Sequence, residues 1–134
     1  VSKTVVSISE LPVRSGSGYP EIYVKEVKGR SNVALGNAFG LTQFGANITT
    51  LEPGAWSSQR HWHLHEDELV YAVEGEMVIV DDTGRHSFKP GQCAGWKANT
   101  PNGHYIVNES NKLAKFLVVG TRAQIEEATY PDID

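Results

Sequence analysis

Apolar and polar residues alternate with a period of two along most of the chain, the spacing of strands rather than helices. The alternation runs through residues 22–27, 44–51, 68–74, 76–80 and 104–108, and residues 114–119 form a continuous apolar run that reads as a buried strand. Turn chemistry separates these runs: Glu52-Pro53-Gly54, Glu74-Gly75-Glu76, Asp81-Asp82-Thr83-Gly84, Lys89-Pro90-Gly91-Gln92 and the stretches 99–103 and 108–111. From residue 52 onward such signals recur about every ten residues, as in an all-β sandwich or barrel. Only residues 122–129 carry a helical pattern, about two turns of it. The segment 15–18, Ser-Gly-Ser-Gly, is expected to connect an N-terminal strand to the body of the domain.

Length and charge narrow the partners. A chain of 134 residues has room for one domain. Lys and Arg number 12 against 16 Asp and Glu, a net charge of −4, and no long helix is expected. Both features argue against a nucleic-acid partner, which needs a basic stripe or a recognition helix. No apolar run approaches the roughly 20 residues of a membrane span, and the first ten residues hold no stretch long enough for a secretory signal. Cys93 is the single cysteine and has no internal partner, so a cytoplasmic location is expected.

The informative chemistry lies in Arg60-His61-Trp62-His63-Leu64-His65-Glu66-Asp67-Glu68. On a strand, side chains two residues apart share a face, about 6.6 Å apart, so the imidazoles of His61 and His63 can converge on one ion. On a helix the same spacing points them nearly oppositely. Glu68 opens the next alternating run, and a hairpin through 64–67 would bring its carboxylate beside the two histidines. A further ligand is available from His104, which follows a Pro-Gly loop, or from His86, which follows a turn and reads as a surface residue. His65 has the parity to join the site, as a turn residue at its mouth. Glu66 and Asp67 read as solvated acids, either able to orient a ligand histidine. Trp56, Trp62 and Trp96 are expected in the core or an interface, and Arg60 and Lys97 at the solvated surface.

Gly54, His61, His63, Glu68 and Gly75 resemble the first motif of the cupin family: a Gly, a His-x-His pair, four residues, a Glu, six residues and a Gly. The spacing from His61 to Gly75 matches fully, while Gly54 lies one residue farther out. The second motif is distorted. Anchored at Gly91, it places Lys97 and Asn99 at its Pro and Gly and Asn102 at its His; the tail from His104 to Asn108 fits. Anchored at Gly95, it matches Pro101 and Gly103, with His104 two residues early. The resemblance covers about residues 40–120. Its Arg-His-Trp-His and Glu-Asp-Glu runs, with Gly120-Thr121-Arg122 and Tyr130-Pro131-Asp132, are similar to a group of small single-domain bacterial cupins called sugar-phosphate-isomerase-like.

The resemblance implies an all-β double-stranded β-helix, a jelly-roll barrel. It would be one domain over 1–134, with an arm at 1–20, a barrel core at 40–120 and a short C-terminal helix. It implies one divalent transition metal per chain (Fe, Mn, Ni, Co, Cu or Zn) on His61, His63, Glu68 and His104. An ion with open positions would chelate a small oxygenated substrate and acidify its C–H, giving isomerase or lyase chemistry with Glu68 if it is not a ligand, His65, or a metal-bound hydroxide as candidate base. A redox ion would admit O₂ beside the substrate and give an Fe(II) dioxygenase. A non-catalytic binding module is the reading from a different class. Gln59, Cys93 and Asn102 are the candidate substrate contacts. For Gln59 the alternative is a strand-end amide in water, and for Cys93 a small buried packing residue. A homodimer is expected, with Val5, Val6 and Ile8 adding a strand to the partner's sheet.

Overall fold

The computed structural model describes residues 4–133. Its strands are β1 (Arg14–Ser15), β2 (Arg30–Ala34), β3 (Phe44–Leu51), β4 (Trp62–His63), β5 (Glu68–Glu74), β6 (Met77–Asp81), β7 (Gly84–Phe88), β8 (Cys93–Trp96), β9 (Tyr105–Val107), β10 (Ala114–Thr121) and β11 (Ala128–Thr129). A six-stranded sheet runs β1-β2-β3-β10-β5-β8, a three-stranded sheet runs β7-β6-β9, and β11 pairs with β4. All pairs are antiparallel. The larger sheet contains β1 and β2, which precede residue 40, and the small pair contains β11, which follows residue 120. This is the jelly-roll arrangement, open along the side where β7 and β8 form the two sheet edges.

The runs at 44–51 and 68–74 become β3 and β5 with those bounds because each lies across from β10, which offers partners on both sides. Between the sheets sits an apolar layer that includes Leu51, Val70, Met77, Phe88, Ile106 and Phe116. Each such side chain contributes about 1.5–3 kcal/mol on burial.

Three expectations of secondary structure fail, two of them through competition for backbone hydrogen bonds. Residues 21–27 form 3-10 turns rather than a strand: Tyr23 N–H donates to Pro20 O at 2.8 Å and Val27 N–H to Val24 O at 3.0 Å. Only Val27 of that run is buried in either turn, so its alternation has no sheet to serve. The expected C-terminal helix over 122–129 is absent. Its backbone is claimed by other elements: Ala123 N–H donates to Glu66 Oε2 at 3.0 Å, and Glu127 O accepts Leu64 N–H at 2.9 Å. A two-turn helix is too short to compete with such contacts. Residues 5–8 are likewise not a strand; Ile8–Glu10 is a 3-10 turn, Val5 and Ile8 are exposed, and Val6 is half-buried. The N-terminal strand is β1, beside β2.

Strand β3 carries an inversion. Asn47, Thr49 and Leu51 point inward, opposite Val118, Phe116 and Ala114 of β10, whereas Phe44 is exposed. On β2, Arg30 and Asn32 lie opposite Leu51 and Thr49, on the same inner face. The interior is therefore apolar at one end and polar at the other.

Gly75 closes β5 at φ +76°, and a Cβ there would lie 2.6 Å from Leu113 O and 3.0 Å from Ala114 Cα. Gly54 has φ +87° with nothing within 4 Å of a Cβ. Gly54→Ala is therefore expected to cost about 1–2 kcal/mol, the left-handed penalty alone. Gly75→Ala is expected to cost clearly more, because the backbone must also move. Urea denaturation of both variants checks this, and equal losses would mean that the close approach is immaterial.

Candidate functional site

Two histidines are oriented by one device used twice. His61 and His104 form an antiparallel bridge, His61 N–H to His104 O at 3.2 Å and His104 N–H to His61 O at 2.9 Å. Each ring then turns Nδ1 to the carbonyl two residues back, His61 to Gln59 O at 2.9 Å and His104 to Asn102 O at 3.0 Å. A carbonyl only accepts, so Nδ1 carries the proton in both rings and Nε2 keeps its lone pair. Trp96, opposite Glu68 across the β5–β8 register, stacks on His104 with centroids 3.7 Å apart and planes 5° apart.

Those Nε2 atoms point to one place. His104 Nε2 is 2.6 Å from Glu68 Oε1, and His61 Nε2 is 3.1 Å from His63 Nε2. The ligand atoms of His61, Glu68 and His104 all lie within 4.8 Å of one another. Imidazole lone pairs facing a carboxylate and each other call for a shared proton or a cation between them. A mixed N,O set of this kind suits a divalent transition ion. Burial pushes the His61 pKa down, so its ring is held neutral, as a ligand must be. Burial would raise the Glu68 carboxyl, but its contacts with His104, His61 and His63 outweigh it and hold it below the usual range.

His63 stands at the back of this group. Its Nδ1 is buried without a hydrogen-bond partner among the described residues, 3.9 Å from Glu66 Oε1 and 4.0 Å from Glu126 Oε1. Those three residues form a second group of ligand-type atoms. Glu66 and Asp67 are not simply solvated: Glu66 Oε2 accepts Ala123 N–H and Asp67 Oδ1 accepts Ala98 N–H. The expected β4–β5 hairpin does not form. β5 pairs with β10 and β8, so Glu68 reaches the histidines from the facing sheet.

The other sequence candidates lie elsewhere. Gln59 is buried, with Nε2 donating to Tyr23 O at 2.8 Å and Glu26 Oε1 at 3.3 Å; its carbonyl holds His61. Its N–H donates to the Tyr19 hydroxyl, whose pKa burial and Tyr130 push up to about 12. Asn102 turns its side chain to Asp82 N–H and Asp81 Oδ2, while its backbone carbonyl holds His104. Cys93 is exposed rather than buried, in an outer groove of about 630 Å³ between β7 and β8 that also contains Lys97 and His86. His65 is exposed, its N–H donating to Glu126 Oε1. Arg60 is paired with Asp132 and Asp82.

Among the lining residues of a cavity of about 270 Å³ are His61, Glu68, His104, Trp96, Tyr105 and the polar wall of β2 and β3. Sequence reasoning missed Arg30, Asn47, Thr49, Ser58 and the stacking Trp96. The one available signal was the polar residues on the alternate positions of β3.

Residues 47–120 match the cupin domain family. A sugar phosphate isomerase from a cupin superfamily, from Silicibacter pomeroyi, is 48% identical, with 97% of this chain and 83% of that chain covered and a TM-score of 0.94. A provisionally named sugar phosphate isomerase from Acidithiobacillus ferrooxidans is 30% identical over 77% of this chain and 65% of that one, with a TM-score of 0.74. The polyketide cyclase RemF from Streptomyces resistomycificus shares the fold at 20% identity, covering 93% and 84% of the two chains with a TM-score of 0.73. No curated protein sequence matches significantly.

Asp81 anchors the loop that orients His104. Burial would raise its carboxyl, but hydrogen bonds from Thr83, Asn102 and His86 hold it at about 2, below the ordinary 3.8. The unfolded chain therefore binds this proton first as pH falls, so the stabilisation is complete above about pH 4 and is lost as pH drops through about 2. Asp81→Ala is expected to lose about 1–2 kcal/mol at pH 7, with the gap to wild type narrowing across that acid window. Denaturation curves at a series of pH values check it; a gap independent of pH would remove the carboxylate from the account.

Proposed function

The chain belongs to the cupin family, and from that premise we propose that it is a metal-dependent enzyme acting on a small oxygenated metabolite by isomerase- or lyase-type proton transfer. The observation that carries this reading is the pair of imidazoles locked with Nε2 toward Glu68 inside a polar-walled cavity. The ion would be held by His61, Glu68 and His104, with His63 beside His61 as the further ligand. Bound there, it supplies Lewis acidity that acidifies a C–H next to a substrate oxygen.

The chain's own residues do the rest. Gln59 and Asn102 fix the two tautomers through their carbonyls, and Trp96 fixes the plane of His104. Glu68 is the single carboxylate among the described lining residues, and it is the cavity's candidate for taking the substrate proton where it is not itself a ligand of the ion. His65, the other candidate base, lies on the surface. A sugar-phosphate substrate is supported by the likeness to the Silicibacter pomeroyi sugar phosphate isomerase.

No helix among the described residues is long and apolar enough to cross a membrane. The cytoplasmic reading rests on Cys93, which is free. The reading includes a homodimer, now on a different surface from residues 5–8. The outer face of β5 exposes Leu69, Tyr71 and Val73 at 48%, 43% and 46%, beside Leu117 and Val119 of β10. A face this apolar on a soluble domain is suited to a second copy.

Elemental analysis of purified protein is expected to find one divalent transition ion per chain in wild type and its loss in His61→Ala and Glu68→Ala; an equal trace in all three removes the metal centre. With a sugar phosphate in D₂O, wild type is expected to exchange the C–H next to the carbonyl, and Glu68→Gln to slow exchange by about 10²–10⁴-fold. Iron-dependent O₂ uptake would replace this chemistry with a dioxygenase, and stabilisation by ligand without turnover would replace it with a binding module. Light scattering is expected to give twice the monomer mass, and Tyr71→Glu to give the monomer.

A further inference from the structure

We propose that the cavity is built for a hydroxylated molecule bearing an oxyanion, and that Arg30 receives the anionic group. The inference rests on reading the cavity as the substrate site, and adds to it the residue that receives the substrate's anionic group. Arg30 Nη1 donates to Ser57 O at 2.7 Å and Nη2 to Gly16 O at 3.0 Å. Both acceptors are neutral carbonyls, so the guanidinium is positioned without being neutralised. Two of its five N–H groups are used, and no carboxylate among the described residues pairs with it. Arg60 and Arg85 show the contrast, each pairing with acids on the surface. In a chain of net charge −4, an unpaired cation on a cavity wall marks a place for an anion from outside.

The adjoining wall asks for hydroxyls. Asn47 Oδ1 is buried in the described structure with no hydrogen-bond partner, and Asn47 and Thr49 line the same cavity. A buried acceptor left open is costly, and a ligand O–H satisfies it. Ser57 O holds Arg30 while the next residue's hydroxyl, Ser58 Oγ, lies 3.2 Å from His61 Nδ1. One short segment thus separates the cation from the imidazoles. The volume of about 270 Å³ lies just below the usual range of about 300–1,000 Å³ for ligand pockets, which points to a short carbon chain.

The shared chemistry is an oxyanion, and phosphate and carboxylate are its two sources. Calorimetric titration of the whole purified protein, with its metal content measured on the same sample, compares two pairs of probes. These are ribose 5-phosphate against ribose, and gluconate against glucitol. At least one anion is expected to bind tenfold or more tightly than its neutral partner, and the winning pair names the source. Arg30→Gln is expected to erase that preference while leaving the metal content unchanged, and Arg30→Lys to retain part of it. Equal binding of anion and neutral partner by wild type, or a preference intact in Arg30→Gln, overturns the proposal. The comparison within wild type stands even if Arg30→Gln fails to fold. Metal present with no anion preference sinks this inference alone; an Arg30-dependent preference in metal-free protein sinks the metal-enzyme reading alone.

Discussion

The bridge between His61 and His104 is the constraint on which the site depends. Two backbone hydrogen bonds hold the segments side by side, and each ring is locked by the carbonyl two residues earlier. A histidine free to rotate presents either nitrogen. These two present only Nε2, toward a carboxylate brought in by the other sheet. The ordering cost that an ion would otherwise impose on flexible side chains is met during folding. The cost of crowding these groups is visible in the directions of their shifts, His61 held neutral by burial and Glu68 held charged by its neighbours.

Around that constraint the interior divides into two ends with different duties. Leu51, Phe88 and Val70 supply the burial that holds the sheets together. Asn32, Asn47, Thr49 and Arg30 line a cavity that an all-apolar core would have filled. Such polar positions weaken packing and are retained at a site that must receive a polar molecule. The C-terminal segment joins this design from outside. Glu126 Oε1 accepts the N–H groups of Leu64 and His65, and β11 pairs with the strand carrying His63.

Much of the barrel was legible because its strands alternate and its turns are punctuated. The runs that became β3, β5, β6 and β10 are visible without coordinates, since each packs one face on an apolar layer. Residues 22–27 misled because alternation states a preference for a sheet and does not supply a partner strand. Residues 122–129 misled for the converse reason: local helical pattern yields when Glu66, Leu64 and Gln43 take the backbone groups. The strands β2, β7 and β8 went unread, having weak alternation or only four to five residues.

The same division holds for the site. Residue type and spacing by themselves singled out His61, His63 and Glu68 and left His104 and His86 as the choices for a further ligand. They determined Gly75 as well, whose positive φ and lack of a Cβ a tight strand closure needs. Tertiary structure alone decided that Glu68 arrives from across the barrel, that Gln59 and Asn102 act through carbonyls and not side chains, and that Arg30 lines the cavity without a carboxylate partner among the described residues. Spacing constrains neighbours along one strand, whereas a ring's tautomer, a ligand from another sheet and a cation's missing partner depend on which distant segments meet.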